Sequence, residues 1–318
     1  MATLVDDFRP APGLSHTHAQ SLFGVMGRPK LSLPLRRERR DTPDGDFVDL
    51  DIVDGDKGKP TVVLLHGLEG SSASGYMQLM LRGLHARGWT GIALNARACS
   101  GEPNRQPASY SSGDYRDLSW FTRTLEGTVC AVGFSLGASV LLNFLAKEEA
   151  ASRVSAAVAV SAPYDLALGA KYLDSNSFIA RRYLAHFLPT MKAKALTKAQ
   201  QFPDAFDVPA ITATTRIRDF DHLVTARLFG FASAEDYYAK CSAGPQLANV
   251  KTRTLLLSAA DDVIAPPRLP GDVGSNSMLD VLLTKKGGHV GFVGGHAWNP
   301  KFWAEETALA WLDKAIQT

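Results

Sequence analysis

The 318-residue chain contains little cysteine, little net charge and no long apolar run. Its three cysteines, Cys99, Cys130 and Cys241, have no CxxC spacing, which argues against a disulfide framework or a zinc site and fits reduced thiols. A net charge of +2 provides no strong field that would attract nucleic acid. No apolar stretch is long enough to span a membrane, and residues 1–30 lack a signal-peptide pattern. We therefore expect a cytoplasmic protein without a nucleic-acid partner or stable membrane insertion.

Motifs for cofactors and metals are also missing from the sequence. It contains neither a Walker-type loop nor a GxGxxG after the first predicted strand, so it predicts no nucleotide site. His16 and His18 form an HxH pair, but no cysteine or acidic cluster lies near them to complete a metal site. We expect a chemistry that needs no cofactor and no metal.

One local charge feature is a short run of arginines, Arg36, Arg37, Arg39 and Arg40, interrupted by Glu38. Such a run is more often a solvated strand edge or loop than a binding surface, and we favour that interpretation. Peripheral contact with anionic lipid headgroups is the alternative. Nothing in the sequence indicates an oligomeric state.

Strand-like and helix-like segments alternate along most of the chain, as in the crossover units that build a parallel sheet. The predicted strands are 47–53, 61–65, 90–95, 128–132, 154–161, 252–258 and 279–284, and the predicted helices are 76–87, 118–124, 136–149 and 303–316. The continuous apolar run 61–65 predicts a central strand buried on both faces. The alternation of apolar and acidic residues in 47–53 predicts a half-exposed strand. The sequence therefore predicts an α/β fold with a mostly parallel central sheet flanked by helices.

Two regions depart from this alternation. Residues 1–30 have several Gly and Pro and little periodicity, so we expect an irregular arm that wraps the core. Residues 166–249 have helical patches but no obvious strand, and we interpret them as a helical cap inserted between two parts of one core, residues 1–165 and 250–318. The cap aromatics that are candidates for an acyl pocket, or more simply for the core of the cap, are Phe178, Tyr183, Phe187, Phe202, Phe206, Phe229 and Phe231.

The most informative motif is the pentapeptide 133–137, with sequence Gly-Phe-Ser-Leu-Gly, between an apolar strand and a helix. In that setting a GxSxG pentapeptide forms a nucleophile elbow, a strained turn that exposes the serine hydroxyl at the top of a sheet. The glycines on either side of Ser135 allow the strand and the helix to pass closely. The motif predicts a serine-dependent acyl-transfer enzyme with Ser135 as its nucleophile.

A serine nucleophile needs a base and a carboxylate that orients the base, and in elbow enzymes the chain order is Ser, acid, His. The strand 252–258 runs into Asp261 and Asp262, and we select Asp262 as the acid with Asp261 in reserve. The alternative is that both acids cap the turn. For the base we prefer His289, five residues beyond the strand that ends at Thr284, to His296, which we expect to make local hydrogen bonds.

Two backbone N–H groups should stabilise the oxyanion of the reaction. One belongs to Leu136, directly after the nucleophile. The other is expected at Leu68, because the segment 66–70, with sequence His-Gly-Leu-Glu-Gly, directly follows the central strand and its glycines allow a tight curl. We interpret His66 as a structural residue that holds this loop.

Several segments together resemble the YheT-like branch of the α/β-hydrolases, an esterase and lipase family of abhydrolase-domain proteins. The segments that carry the resemblance are His66-Gly67-Leu68-Glu69-Gly70-Ser71-Ser72, Arg97-Ala98-Cys99-Ser100-Gly101-Glu102-Pro103-Asn104 with Tyr110 and Ser112-Gly113 behind it, 133–137, the Asp261-Asp262 strand end and Gly288-His289-Val290-Gly291-Phe292. The resemblance implies an α/β-hydrolase fold, a triad of Ser135, Asp262 and His289, and hydrolysis of carboxylic esters. The chain departs from its relatives at Ala98, Ser111 and Val263, none of which is a catalytic group, and we interpret Cys99 as a packing residue.

The sequence and the resemblance together predict a serine hydrolase that cleaves small-molecule carboxylic esters with an apolar acyl group through an acyl-enzyme on Ser135. One alternative is an alcohol O-acyltransferase, an ester synthase that uses the same triad with an alcohol as the acceptor. A more remote alternative is a non-catalytic binding protein, which would not need a complete set of serine, acid and histidine.

Overall fold

A nine-stranded sheet forms the centre of the computed structural model, which describes residues 3–4, 8–29, 31–296 and 298–317. The strands of this sheet are β1 (Thr3–Leu4), β2 (Arg36–Asp41), β3 (Phe47–Val53), β4 (Thr61–Leu65), β5 (Thr90–Asn95), β6 (Val129–Phe134), β7 (Ala156–Val160), β8 (Arg253–Ala259) and β9 (Leu279–Thr284). Their order is β1-β9-β8-β7-β6-β4-β5-β3-β2. All neighbours pair in parallel except β3 with β5 and β2 with β3, which are antiparallel. The predicted mostly parallel sheet is confirmed.

Helices cover both faces of this sheet. The helices are α1 (Thr17–Met26), α2 (Gly75–His85), α3 (Arg116–Arg123), α4 (Leu136–Glu148), α5 (Leu166–Leu173), α6 (Phe178–Gln201), α7 (Val208–Ala213), α8 (Ile217–Phe220), α9 (Ala234–Cys241) and α10 (Trp303–Ala315). Apolar side chains of α3 and α4 pack on one face of the sheet, and those of α2 and α10 pack on the other. The central strands β4, β6, β7 and β8 are buried over almost their whole length, because both of their faces are covered.

Between β7 and β8 every regular element that the structure describes is helical. This segment contains α5 to α9 and a π-helical turn, Asp221–Ala226. Its buried side chains, including Tyr183, Phe206 and Phe220, form a hydrophobic cluster of their own. Of the aromatic residues singled out in the sequence, Phe178 is instead 71% exposed.

The prediction of a half-exposed strand at residues 47–53 was wrong, because β3 is buried along its whole length. Its acidic face is covered by the arginine run, which forms the edge strand β2. Arg39 Nε lies 2.8 Å from Asp49 Oδ1, and Arg37 Nη2 lies 2.8 Å from Asp51 Oδ2. The arginines neutralise carboxylates that would otherwise be costly to bury, so the interpretation of this run as a strand edge is confirmed.

The prediction of an irregular arm over residues 1–30 was also wrong, because α1 lies within it. His16 caps its N-terminus by accepting a hydrogen bond from the His18 N–H at 3.3 Å. A hairpin of β10 (Val293–His296) and β11 (Asn299–Phe302) packs beside this helix. Within the described ranges, no helix is long and apolar enough to cross a membrane.

Candidate active site

Ser135 occupies the sharp turn between β6 and α4. Its φ of 52° lies in the left-handed region, which is uncommon for a residue with a side chain. Its N–H donates to the Val160 carbonyl at 2.8 Å. A Cβ on Gly133 would lie 2.5 Å from the Gly137 carbonyl oxygen, and a Cβ on Gly137 would lie 2.5 Å from the His66 carbonyl oxygen. The two glycines of the pentapeptide are therefore required by close backbone approach.

The imidazole of His289 reaches Ser135 from the loop after β9. His289 Nε2 lies 2.8 Å from Ser135 Oγ, although 154 positions separate the two residues in the sequence. We call residues 287–293 the histidine loop. Left-handed backbone recurs in it, with φ values of 52° at Val290 and 47° at Phe292. His296, the other candidate base, lies outside this contact and stacks on Trp298 in the exposed hairpin, with ring centroids 5.2 Å apart.

The two adjacent acids after β8 contact different parts of the histidine loop. Asp262 Oδ2 lies 2.8 Å from His289 Nδ1, so the carboxylate accepts the Nδ1–H and leaves Nε2 to accept the Ser135 hydroxyl proton. Asp261 Oδ1 instead accepts the Gly288 N–H at 2.9 Å. Asp262 Oδ1 also accepts the N–H groups of Ile264 and Ala265, both at 2.9 Å. Asp262 therefore combines the turn-capping contact with the contact to the imidazole.

The backbone N–H groups expected to form the oxyanion hole belong to Leu68 and Leu136. Neither N–H has a hydrogen-bond partner among the residues that the structure describes. In the loop that contains Leu68, the N–H groups on either side are already hydrogen-bonded. The Gly67 N–H donates to Tyr76 Oη at 2.9 Å, and the Glu69 N–H donates to Tyr110 Oη at 2.9 Å. Leu68 and Leu136 also line one cavity together. Both N–H groups are thus available to a ligand.

We call residues 66–70 the oxyanion loop. His66 is 3% exposed, its Nε2 accepts the Ala96 N–H at 3.0 Å, and its Nδ1–H donates to the Gly67 carbonyl at 2.8 Å. Burial lowers the pKa of His66 to about 4, so the ring is neutral at physiological pH. The ring ties the loop to the end of β5, which agrees with the structural role predicted for it.

A cavity open in part to solvent lies between the oxyanion loop and helices of the segment between β7 and β8. Much of its lining is apolar, from Leu68, Met191, Ala195, Phe206, Phe220, Val224, Leu228 and Phe229. Its polar side includes Glu69, Tyr110 and Lys194. Two of the aromatic residues proposed from the sequence, Phe206 and Phe229, therefore reach this cavity.

Sequence reasoning missed Lys194 of α6, which connects that helix to the oxyanion loop. Lys194 Nζ donates to Glu69 Oε1 at 2.9 Å and lies 3.2 Å from Cys99 Sγ. Burial raises the pKa of the Cys99 thiol, which disfavours the thiolate and agrees with its interpretation as a packing residue. No signal in the sequence identifies Lys194, because its partners are about 90 or more positions away.

His16 and His18, the HxH pair of the N-terminal segment, lie with ring centroids 5.2 Å apart. His18 Nδ1 lies 3.4 Å from Tyr183 Oη in α6. In the part of the chain that the structure describes, no group of three or more His, Cys, Asp or Glu side chains is arranged to hold a metal ion. The three cysteines are free thiols.

The sequence of the chain is similar to several curated hydrolases. The protein named "Putative esterase YheT" of Escherichia coli (strain K12) is 37% identical over 322 aligned positions, which cover 98% of this chain and 94% of that protein. Monoacylglycerol lipase of Saccharomyces cerevisiae is 31% identical over 252 positions, covering 76% of this chain and 56% of the lipase. Phospholipase ABHD3 of Homo sapiens is 28% identical over 293 positions, covering 87% and 71% of the two chains.

The fold and the family follow from two further comparisons. The alpha/beta hydrolase domain-containing protein 10 from mouse superposes with a TM-score of 0.56 at 14% identity, covering 89% of this chain and 98% of that chain. The Pyrococcus furiosus esterase Pf2001 gives a TM-score of 0.58 at 14% identity, covering 89% and 91%. The profile of the alpha/beta hydrolase family matches residues 62–305. The chain therefore belongs to the α/β-hydrolase family, as a member of its YheT-like branch of esterase- and lipase-type enzymes.

Proposed function

We propose that this enzyme hydrolyses carboxylic esters with an apolar acyl group through an acyl-enzyme on Ser135. The observation that carries the proposal is an unbroken chain of two 2.8 Å contacts, from Ser135 Oγ to His289 Nε2 and from His289 Nδ1 to Asp262 Oδ2. This is the relay that a serine hydroxyl needs in order to lose its proton during attack. The proposed hydrolysis needs only the ester and water as reactants.

In the first half of the proposed reaction, Ser135 Oγ forms a bond to the ester carbonyl carbon while its proton moves to His289 Nε2. Asp262 stabilises the imidazolium that results. The carbonyl oxygen takes the electron pair of its π bond and accepts hydrogen bonds from the Leu68 and Leu136 N–H groups. Each of these hydrogen bonds lowers the activation free energy by about 3 kcal/mol. When the intermediate collapses, the bond to the alcohol oxygen breaks and His289 donates its proton to that oxygen.

In the second half, a water molecule takes the place of the alcohol. His289 Nε2 accepts a proton from the water as its oxygen bonds to the acyl carbon. The oxyanion collapses, the bond to Ser135 Oγ breaks, and the proton on His289 returns to Oγ. The products are a carboxylic acid and the free enzyme.

The cavity beside the oxyanion loop supports an apolar acyl group as the part of the substrate held by the protein. The side chains contributed by Met191, Phe206 and Phe229 are apolar and converge near Leu68 and Leu136. Ligand sites commonly combine such an apolar lining with a few polar groups that fix orientation. We therefore assign residues 166–249 the role of a cap that covers the site between the core parts 1–165 and 250–318, with a small-molecule ester as the substrate.

The proposal is tested by comparing hydrolysis of p-nitrophenyl butyrate by the wild type and by Ser135→Ala. We expect kcat to fall on the order of 10⁶-fold, because the triad acts as a unit. Ser155→Ala, which alters an exposed serine directly before β7, is the matched control and should leave the rate unchanged. Equal turnover by the wild type and Ser135→Ala would refute the proposal.

Covalent labelling with a fluorophosphonate, followed by identification of the modified peptide by mass spectrometry, tests the nucleophile without knowledge of the natural ester. The label should appear on Ser135 alone, and labelling of another residue would contradict the assignment. Adding ethanol to the butyrate assay distinguishes the acceptor. Ethyl butyrate as the main product would establish the ester synthase reaction in place of hydrolysis.

A further inference from the structure

The helix α1 is polar on the face that packs against the protein and apolar on the face toward solvent. Gln20, Ser21 and Gly24 are buried. Leu22, Val25 and Met26, which face outward, are 46%, 68% and 77% exposed. Burying polar side chains is unfavourable unless they are hydrogen-bonded. The hydrogen-bond partners of the inward-facing side chains therefore indicate why polar residues lie on the buried face of this helix.

Ser21 contacts the main chain of His289 itself. Its Oγ accepts the His289 N–H at 2.9 Å and donates to the Thr17 carbonyl at 2.9 Å. Thr17 Oγ1 in turn donates to the Asp261 carbonyl at 2.8 Å, and Asp261 accepts the Gly288 N–H. The first turn of α1 therefore contacts both the histidine loop and the strand end that carries the acid.

Gln20, which is fully buried, holds the far end of the histidine loop. Its Oε1 accepts the Val293 N–H at 2.7 Å, and its Nε2 donates to the Val293 carbonyl at 3.0 Å. The same Nε2 also donates to the Leu14 carbonyl at 2.7 Å. The amide side chain thus binds both main-chain groups of Val293, whose carbonyl also accepts the Ala11 N–H at 2.9 Å.

Arg28, just after α1, supports the middle of the loop. Its Nη2 donates to the Val290 carbonyl at 2.8 Å. Its Nε donates to Glu305 Oε1 at 2.7 Å, and the two side chains are 1% and 3% exposed. A buried ion pair of this kind is fixed in position, because separating it would leave an unpaired charge away from water.

The histidine loop needs such support because its backbone is strained. Val290 and Phe292 have φ values of 52° and 47°, in the left-handed region where a β-branched or bulky residue is an outlier. Each such residue costs about 1–3 kcal/mol and persists only when its surroundings fix it. Gln20 and Ser21 of α1, together with Arg28 just after it, bind three separate positions of this loop.

We propose that α1 is a positioning element for the catalytic histidine, with Ser21 as the residue that fixes the main chain of His289 and Gln20 and Arg28 as the residues that fix the loop beyond it. The inference rests on the proposed role of His289 as the base. A displacement of about 1 Å at a catalytic group can cost 10²-fold in rate, so loss of one of these contacts should lower kcat with little change in KM.

The first variant that tests the inference is Ser21→Ala. Alanine has a higher helix propensity than serine, so α1 should form, while the His289 N–H loses its acceptor. We expect kcat for p-nitrophenyl butyrate to fall about 10-fold, with KM within twofold of wild type and fluorophosphonate labelling slowed in parallel. Leu22→Ala, on the solvent face of the same helix, should retain the wild-type kcat. Retention of full kcat by Ser21→Ala would overturn the inference.

A double-mutant cycle separates positioning of the imidazole from a general effect on the fold. In a His289→Ala background, Ser21→Ala should produce no further loss of the residual rate, because no imidazole is left to position. If Ser21→Ala lowered the rate by the same factor in both backgrounds, the inference would be overturned, even though kcat fell. Failure of the proposed function gives a different result, since Ser135→Ala would then match the wild type.

Arg28→Lys provides a second, independent variant. Lysine retains the positive charge beside Glu305 but lacks the fork that also binds the Val290 carbonyl. We expect a decrease of about fivefold in kcat with KM within twofold of wild type. An increase in KM with an unchanged kcat would contradict the inference, since it would indicate an effect on substrate binding.

Discussion

Asp261 and Asp262 are adjacent in the chain but contact different groups. The first binds the Gly288 N–H, and the second binds the imidazole of His289. Neighbouring residues at a strand end direct their side chains differently, so a pair of acids in the sequence does not specify which one reaches a distant group. Spacing and chain order selected Asp262 and kept Asp261 in reserve, and in the structure Asp262 Oδ2 lies 2.8 Å from His289 Nδ1.

We predict that Asp262→Asn lowers kcat by about 10⁴-fold, because an amide in place of the carboxylate favours the wrong imidazole tautomer. Asp261→Asn retains a side-chain oxygen for the Gly288 N–H and should lower kcat by less than about 10-fold. Initial rates with p-nitrophenyl butyrate at saturating substrate measure both. A larger loss in Asp261→Asn than in Asp262→Asn would reverse the assignment of the acid.

At the scale of elements, the oxyanion loop is held from two sides. His66 and Tyr76 attach it to the core, and Lys194 attaches it to α6 through Glu69. The Tyr110 hydroxyl binds Glu69 twice, by accepting its N–H and by donating to its carboxylate. Glu69 has a φ of 56°, so the residue after Leu68 is in a strained conformation that these contacts stabilise.

We predict that Lys194→Met lowers kcat by about 10-fold, because the carboxylate of Glu69 loses its cation and the oxyanion loop shifts. Lys192→Met is the matched control. Lys192 also lies on α6, but its Nζ donates to the carbonyls of Thr212 and Thr214 rather than to the oxyanion loop. Adding Glu69→Gln to Lys194→Met removes the unpaired charge and should restore part of the rate. Equal kcat in the Lys192 and Lys194 variants would contradict this prediction.

At the scale of the whole molecule, buried ionisable groups make the stability of the fold depend on pH. Burial lowers the pKa of His66 to about 4, whereas the histidine of an unfolded chain has a pKa of about 6.5. The unfolded chain therefore binds a proton at this residue first as the pH falls. The contribution of neutral His66 to stability is complete above pH 6.5 and is lost between about pH 6.5 and 4, a total of about 3 kcal/mol. Burial of Asp221, which raises its pKa to about 6, acts in the opposite direction between about pH 6 and 4.

We predict that the free energy of unfolding of the wild type falls more between pH 7.5 and 4.5 than that of His66→Gln, by about 2–3 kcal/mol. Comparison of the two proteins cancels the contribution of Asp221, which both retain. Urea unfolding followed by circular dichroism at the two pH values measures the difference. Parallel losses of stability in both proteins would exclude His66 as the source of the effect.

Much of the architecture was predictable because it depends on local patterns. Continuous runs of apolar, largely β-branched residues and leucine such as 61–65 become central strands, since only a strand covered on both faces accommodates them. The glycines beside Ser135 indicate close backbone approach in any fold that contains the turn. Chain order then restricted the acid and the base to residues near the ends of the last two strands.

Two errors in the sequence interpretation have a common physical cause. Asp49 and Asp51 gave β3 the pattern of a half-exposed strand, but Arg37 and Arg39 of β2 cover them. The buried face of α1 includes the polar Gln20, so the helix lacks the usual pattern in which apolar residues face inward. The partner of Gln20 is the histidine loop, about 270 positions later. A polar residue is predicted to be exposed when the partner that allows it to be buried lies far along the chain.

The order of residues in the chain is enough to indicate the family, the central strands and the serine turn, because these depend on continuous apolar runs and on local main-chain geometry. Contacts across space required the assembled fold. They include Asp262 with His289, Lys194 with the oxyanion loop, and Ser21 with the His289 N–H. The residues of these three contacts are 27, 125 and 268 positions apart, respectively. The geometry of each contact therefore depends on how whole elements pack rather than on any pattern within one element.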